Sequence, residues 1–354
     1  MSEKKEKIIL TDFHHADLYH SLWLLFEKRL GWKIYTLYGE EWYTNGYWKY
    51  SDRKDIMVQY LFPMGNVEHK GADEHCSHFF PSYYCEYLFR DLYYKLMTFQ
   101  EFLDTDIDII IPTVNNHEKP FYELQQKYKP NAKLIRQTGN IFDQTDTNIY
   151  KNQLCSSLPL FKSLSDNINK VLCHEEFSTD IFNYAPGNSE NKKIRSILHF
   201  LKGFEISKSL WYEYKSKLPE FQFFMHGAGG DDNVLQPEIT GVVKAMHDSM
   251  FIWHVKPGGD GFGFTLHHAY ACGRPIITRI QDYKDHLGWL LLEDGVTCID
   301  IGNRSVDEGV AKIRYHSKPE NYEKMSKAAY ERFKQVVDYD KEFIEIKKFL
   351  ERLV

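Results

Sequence analysis

The stretch HVKPGGDGFGFTLHHAYACGRPIIT, residues 254–278, places glycine and proline between two apolar segments. Before it, SMFIWHV (249–255) is apolar enough for an interior strand; behind it, FTLHHAYACG (264–273) reads as a helix and RPIIT (274–278) as the returning strand. Glycine costs backbone entropy and brings no side chain to pack, so Gly258, Gly259, Gly261 and Gly263 imply a backbone that must stay bare. A helix start leaves its first amides without intrahelical partners, and the dipole makes that end roughly half a unit charge positive. Glycines just ahead of it let an anion approach closely, and a phosphate or diphosphate is the natural guest. An ordinary strand-to-helix turn uses the same residues, so the ligand reading needs support from the rest of the chain.

Working outward, the alternation of strand and helix continues on both sides. IRSILHFL (194–201), FQFFMHG (221–227) and SMFIWHV read as strands, with helices at 205–218 and near 236–247 between them. Further helices are expected at 282–291, 305–317, 319–336 and 339–353, the last with Phe343, Ile346, Phe349, Leu350 and Leu353 on one face. Toward the N-terminus, KIILTDF (7–13), WKIYTLY (32–38), DIDIIIP (106–112), AKLIRQT (132–138) and NKVLC (169–173) read as strands. Helices are expected at 17–31, 86–104 and near 119–128, whereas residues 39–85 show no sustained period. NYAPGNSENKK (183–193) has the composition of a linker. The expectation is an α/β protein of two Rossmann-like parallel-sheet domains facing across a cleft, 1–185 and 186–336, with a C-terminal helix at 337–354 packing back toward the first.

Bulk properties narrow the function. The 354 residues are 43% hydrophobic and 27% charged, enough for large cores, and 44 Lys and Arg against 50 Asp and Glu give a net charge of −6. That balance argues against a protein-wide basic field for nucleic acid. No apolar run reaches the ~18 residues of a membrane span. The six cysteines have no framework spacing, and the charged opening MSEKKEK is not followed by an apolar segment, so a cytoplasmic location is expected.

Asp260-Gly-Phe-Gly-Phe-Thr-Leu-His-His268, followed by Ala-Tyr-Ala-Cys-Gly-Arg-Pro-Ile-Ile277, resembles the donor-binding signature of GT-B glycosyltransferases. The likeness is to the retaining group typified by glycogen-synthase-like and mannosyltransferase enzymes. Their pattern runs Glu-Gly-Phe-Gly, four residues, Glu, then Ala-Met-Ala-Cys-Gly-Arg-Pro-Val-Ile. The likeness spans about 25 residues and continues weakly through Val296–Asp300.

By position, the resemblance implies that Asp260 accepts hydrogen bonds from donor-sugar hydroxyls, and that Gly259, Gly261, Phe262 and the amides of Gly263, Phe264 and Thr265 hold the diphosphate or sugar. His268 stands where the family has its second Glu, which receives the ribose hydroxyls; an imidazole offers one facing nitrogen instead of two oxygens. Lys202 and Lys208 have the separation of the family's basic pair and would neutralise the leaving diphosphate. Gly227 falls in its Gly-rich turn near the nucleotide, and Lys256 is placed to reach phosphate.

In the first half, the loops after parallel strands are the acceptor side expected of this fold. They are Asp12-Phe-His-His-Ala-Asp17, Thr113-Val-Asn-Asn-His117, and Gly139 with Asn140. His14, His15, His117 and Asn140 are the polar candidates, with His117 in the general place of a family histidine near the reacting carbon. Sugar transfer develops charge on the leaving phosphate, which lysines and helix-end amides stabilise without a metal or other cofactor. The resemblance implies retention, with the leaving phosphate assisting deprotonation; inversion would need a base such as His14, His15 or His117. The donor is expected to be a nucleotide-sugar, such as a UDP-sugar, serving as co-substrate, and the acceptor a glycan, a small molecule or a nucleobase. A sugar-nucleotide epimerase or isomerase on the same fold, a phage-type DNA-base glycosyltransferase and a noncatalytic binder are the alternatives. The aromatic tract Trp42–Trp48 offers stacking faces for sugar or base, or a covering loop. His69, His75, Cys76 and His78 match no standard zinc spacing.

Overall fold

The computed structural model describes residues 6–12, 16–37, 96–97, 99–140, 143–197, 205–226 and 239–354. The chain divides into two units, residues 1–177 with 339–354, and residues 178–338.

In the first unit the elements run β1 (Ile8–Thr11), α1 (Ala16–Trp23), β2 (Lys33–Leu37), β3 (Leu96–Met97), α2 (Phe99–Asp104), β4 (Ile109–Ile111) and α3 (Asn115–Tyr128). Next come β5 (Lys133–Leu134), β6 (Arg136–Thr138), β7 (Asn152–Cys155), α4 (Leu158–Ser163) and β8 (Asn169–Leu172). Five parallel strands form one sheet in the order β3-β2-β1-β4-β5, and β6-β7-β8 form a second parallel sheet. Continuous apolar runs such as Ile109–Ile111 are what a sheet covered on both faces requires, and all three isoleucines are buried. Because β1 lies between β2 and β4, the strand order reverses at the β1/β4 boundary; Ile9 pairs with Ile34 on one side and Ile109 on the other. In open parallel sheets, ligands bind outside the carboxyl ends of the strands at such a boundary.

The second unit runs β9 (Lys193–Ser196), α5 (Glu205–Lys217), β10 (Gln222–Met225), α6 (Ile239–His247), β11 (Phe251–Trp253), α7 (Phe264–Ala271), β12 (Ile276–Thr278), β13 (Cys298–Asp300), α8 (Val306–His316) and α9 (Pro319–Val336). Its parallel sheet has the order β10-β9-β11-β12-β13, so the reversal falls between β9 and β11. Trp211 and Trp253 meet edge to face at 5.6 Å in the core, with Tyr214 beside Trp253. Ser305 and Glu308 cap the start of α8 reciprocally.

The last helix, α10 (Tyr339–Glu351), belongs to the first unit and buries Ile346, Phe349 and Leu350. Glu342 accepts from the backbone amide of His174 at 2.8 Å and meets its Nδ1 at 2.5 Å. Arg29 forks onto both oxygens of Glu176 and also donates to Asp340 at 2.7 Å.

Several elements differ from expectation. The single strand at 132–138 is two: Lys133–Leu134 pairs with β4, and Arg136–Thr138 turns to pair with β7. Within the helix expected over 86–104, Leu96–Met97 is a strand and Phe99–Asp104 is helical, while 86–95 and 98 lie outside the described residues. Residues 282–291 form two 3₁₀ turns, Ile280–Tyr283 and Leu287–Leu291, not a helix. The helix read as 17–31 ends as α-helix at Trp23 and continues as a π-helical stretch, Leu24–Arg29. Helix α3 begins at Asn115 and carries Pro120 inside it, although proline favours a first turn.

Candidate active site

In the second unit, β11 ends at Trp253 and the chain turns through residues 254–263 into α7. Gly258, Gly259 and Gly263 take φ of 79°, 71° and 84°, the left-handed region that side chains disfavour. At Gly259 a methyl group would also collide with the Asp282 carbonyl, so close backbone approach adds to the need for glycine. Gly263 is the N-cap of α7, and no side chain caps that end. The amides of Gly263, Phe264 and Thr265 open this helix, at the positive end of its dipole. The Ser207 hydroxyl donates to the Val255 carbonyl at 2.6 Å and ties the first turn of α5 to the end of β11. Lys208, half-buried, is the next residue on that turn.

Asp260 is the polar centre of the loop. Only 8% exposed, it meets His254 Nε2 at 2.7 Å, accepts from the Tyr283 hydroxyl at 3.2 Å, and pairs with the Lys256 ammonium. Burial pushes its carboxyl pKa up, but the hydrogen bonds and charges of His254 and Lys256 outweigh burial and hold it well below the usual carboxylate range. Among the described residues, His254, Tyr283 and Lys256 occupy three of the carboxylate's roughly four lone-pair positions.

Neighbouring side chains are engaged too. Phe262 is buried and stacks on His267 at 4.1 Å between ring centroids. His268, 3% exposed, stacks on Phe182 at 3.6 Å with the rings 11° apart. The position matched to the family's second Glu is therefore covered by an aromatic ring. Lys202 and Gly227 lie outside the described residues.

In the first unit, the β1/β4 boundary brings together residues far apart in sequence. Asp12, just past β1, accepts from the Thr113 amide at 2.8 Å and from the Thr113 hydroxyl, and its Oδ2 meets His117 Nδ1 at 2.6 Å. Both Asp12 and His117 are buried. Burial raises the Asp12 pKa, but the charge and hydrogen bond of His117, with those from Thr113, bring it below the ordinary carboxylate value. His117 sits in the first turn of α3 and its amide bonds to the Val114 carbonyl at 3.0 Å.

Asn140 is exposed; its amide and that of Gly139 each donate to Asp143 at 2.8 Å. His14, His15, the aromatic tract Trp42–Trp48 and the His69–His78 cluster lie outside the described residues. Glu175, beyond β8, is 5% exposed and packs against Gly139, where a methyl group would strike its carboxyl. It accepts from Gln137 at 3.2 Å, and burial pushes its pKa up to about 8. Together with Ser156, Cys173 and residues of α1 and α10, these side chains line a cavity of about 30 Å³, room for one water. Asp12, His254, Tyr283 and Glu175 were not among the sequence candidates. Asp12 and His254 stood inside quoted segments, but only topology reveals their partners. Among the described residues, no group of three or more His, Cys, Asp or Glu is placed to hold a metal, and no helix is long and apolar enough to cross a membrane.

No protein-family model matches the sequence, and no curated protein matches it. Solved structures do match in fold. Anabaena HepE in complex with UDP and glucose superposes with a TM-score of 0.63 at 12% identity, covering 99% of this chain and 100% of that one. Sucrose-phosphate synthase from Thermosynechococcus elongatus gives 0.61 at 12% identity, covering 98% and 99%. A glycosyltransferase from Rickettsia africae gives 0.55 at 12% identity, covering 98% and 100%. Two Rossmann-like parallel-sheet units in one chain, matched along nearly the full length of such structures, are the GT-B fold of glycosyltransferases.

Proposed function

We propose that the chain is a glycosyltransferase that moves a sugar from a nucleoside diphosphate sugar to an acceptor hydroxyl, with retention and without a metal. The observation that carries this reading is the bare turn at the carboxyl end of β11, with its three left-handed glycines and a following helix start that lacks a side-chain cap. A diphosphate brings negative oxygens suited to the positive end of such a helix. Lys208 and Lys202 would neutralise the leaving phosphate, and Lys256 is within the same loop. Asp260 would take a donor-sugar hydroxyl on its remaining lone pair or in place of Lys256. A UDP-sugar is the favoured donor, because HepE, similar in fold, is bound to UDP and UDP-glucose. His268, beneath Phe182, would touch the nucleoside only by its ring edge. On the acceptor side, His117, His14, His15 and Asn140 would face a glycan, a small molecule or a nucleobase.

Thermal shift against UDP-, GDP-, ADP-, dTDP- and CMP-sugars, followed by hydrolysis assays on those that stabilise, tests the reading. Stabilisation by a UDP-sugar together with slow release of UDP is expected. Absence of both for every donor would overturn it.

A further inference from the structure

We propose that His254 and Tyr283 are positioning residues that lock one oxygen of Asp260, Oδ2. The other, Oδ1, with Lys256 as its exchangeable partner, is then the oxygen offered to the donor sugar. This deepens the reading of the chain as a sugar transferase and rests on it. The two oxygens differ in what surrounds them. Oδ2 lies 2.7 Å from His254 Nε2 and accepts from the Tyr283 hydroxyl at 3.2 Å. Asp260 is held ionised, and a carboxylate only accepts, so the hydrogen of the first contact is on Nε2. Both partners are shut away from solvent, His254 being 1% exposed and Tyr283 0%. Oδ1 meets the Lys256 ammonium instead, and that side chain is 28% exposed. The side of the carboxylate open to a ligand is therefore the Oδ1 side.

Both anchors belong to the sheet and its immediate continuation. His254 follows β11 directly; its amide donates to the Ile277 carbonyl at 2.9 Å and its carbonyl accepts from the Thr278 hydroxyl at 2.7 Å, so β12 holds its backbone. Tyr283 ends the 3₁₀ turn that follows β12, and Gly288 lies close against its ring. Asp260 itself stands on a turn with glycine at 258, 259, 261 and 263, which restrains its backbone little. Two donors on Oδ2 supply that restraint, so the orientation of the carboxylate is set before a ligand arrives. Its location gives the orientation a use. A methyl group on Gly263, the N-cap of α7, would come within 3.0 Å of Asp260 Cβ and 3.2 Å of Oδ2. The carboxylate thus lies directly beside the helix start read above as the diphosphate seat, where the sugar joined to that diphosphate comes to rest. Lys256 carries its charge on a flexible four-carbon stem, so it can yield Oδ1 to a sugar hydroxyl while Oδ2 stays fixed.

The test uses the whole chain, with UDP and UDP-glucose as probes. Tyr283→Phe removes one hydroxyl and keeps the ring, so it reads the anchor with little disturbance of the core. By calorimetry the variant should bind UDP within about twofold of wild type and UDP-glucose at least about threefold more weakly. A merely structural role would move both affinities or neither. For hydrolysis of UDP-glucose, kcat/KM should fall about threefold to tenfold. His254→Gln, which keeps an N–H donor at similar reach, should retain more of that activity than His254→Leu. In an Asp260→Ala background Tyr283→Phe should have no further effect, because the carboxylate it positions is gone. Nitrogen-15 NMR of the His254 ring should show a proton on Nε2, independently of turnover. Equal loss of UDP and UDP-glucose affinity, an unchanged kcat/KM in Tyr283→Phe, full additivity with Asp260→Ala, or a bare Nε2 would each overturn this proposal alone. If the wild type neither binds nor hydrolyses UDP-glucose, the transferase reading falls and the proposal with it.

Discussion

Replacing Glu175 by Gln should stabilise the protein at neutral and alkaline pH and leave it unchanged in acid. Glu175 is buried against Gly139 with Gln137 as its donor, and burial raises its pKa from the ordinary 4.5 to about 8. In the unfolded chain the group ionises near 4.5. Across the window from about pH 4.5 to pH 8, the unfolded state has therefore lost a proton that the folded state retains. Folding stability falls by about 1.4 kcal/mol per pH unit there, up to ~5 kcal/mol in all. The sign follows from the raised folded value: the contribution is fully present below 4.5 and is lost as pH rises through 8. Glutamine keeps the shape, accepts from Gln137 through its oxygen, and has no proton to lose. Wild type and variant should match near pH 4.5 and diverge by several kcal/mol at pH 8, roughly 2–4 °C in Tm per kcal/mol for a unit of this size. Thermal and urea denaturation at pH 5, 7 and 9 would measure it. Parallel pH curves, or a variant less stable than wild type at pH 8, would show that Glu175 is ionised in the fold and refute the reasoning.

Three further outcomes are expected. Asp260→Ala should reduce turnover at least about tenfold, roughly 1.4 kcal/mol of transition-state stabilisation; unchanged kcat/KM would remove Asp260 from the site, and Tm measured alongside would report the release of His254 and Lys256. Changing Lys202 and Lys208 together to Ala should weaken nucleoside diphosphate binding, which calorimetry with UDP would detect; intact affinity rejects their assignment. Gly259→Ala should cost about 1–3 kcal/mol of stability, since it combines a left-handed φ with a collision at the Asp282 carbonyl; a neutral result in urea denaturation would mean that the 256–263 turn differs from the one described.

The alternating α/β pattern was legible because buried parallel strands write themselves as unbroken apolar runs, as at Ile8–Leu10 and Ile109–Ile111. The β7 strand was not, because Asn152 and Gln153 open it. Their buried amide nitrogens donate to the carbonyls of Leu134, Val354 and Tyr150, partners invisible to a local reading. The 132–138 segment hid its division because a change of sheet at Ile135 leaves no polar mark. In the site, the glycine turn was readable from composition alone. The Asp12–His117 pair was not: its members stand 105 positions apart, and only the adjacency of β1 and β4 joins them. The stack of Phe182 on His268 was hidden for the same reason.

The last helix has a practical consequence for dissecting this molecule. Because 339–354 packs with 1–177 while 178–338 forms the other compact unit, the first unit is not a contiguous stretch of chain. A fragment stopping at Phe177 would leave uncovered the surface that receives Ile346, Phe349 and Leu350, and would lack the carboxylate of Glu342 beside His174. Producing that half calls for splicing the terminal segment onto it through a short tether, whereas the other half is one continuous stretch bounded by two cuts.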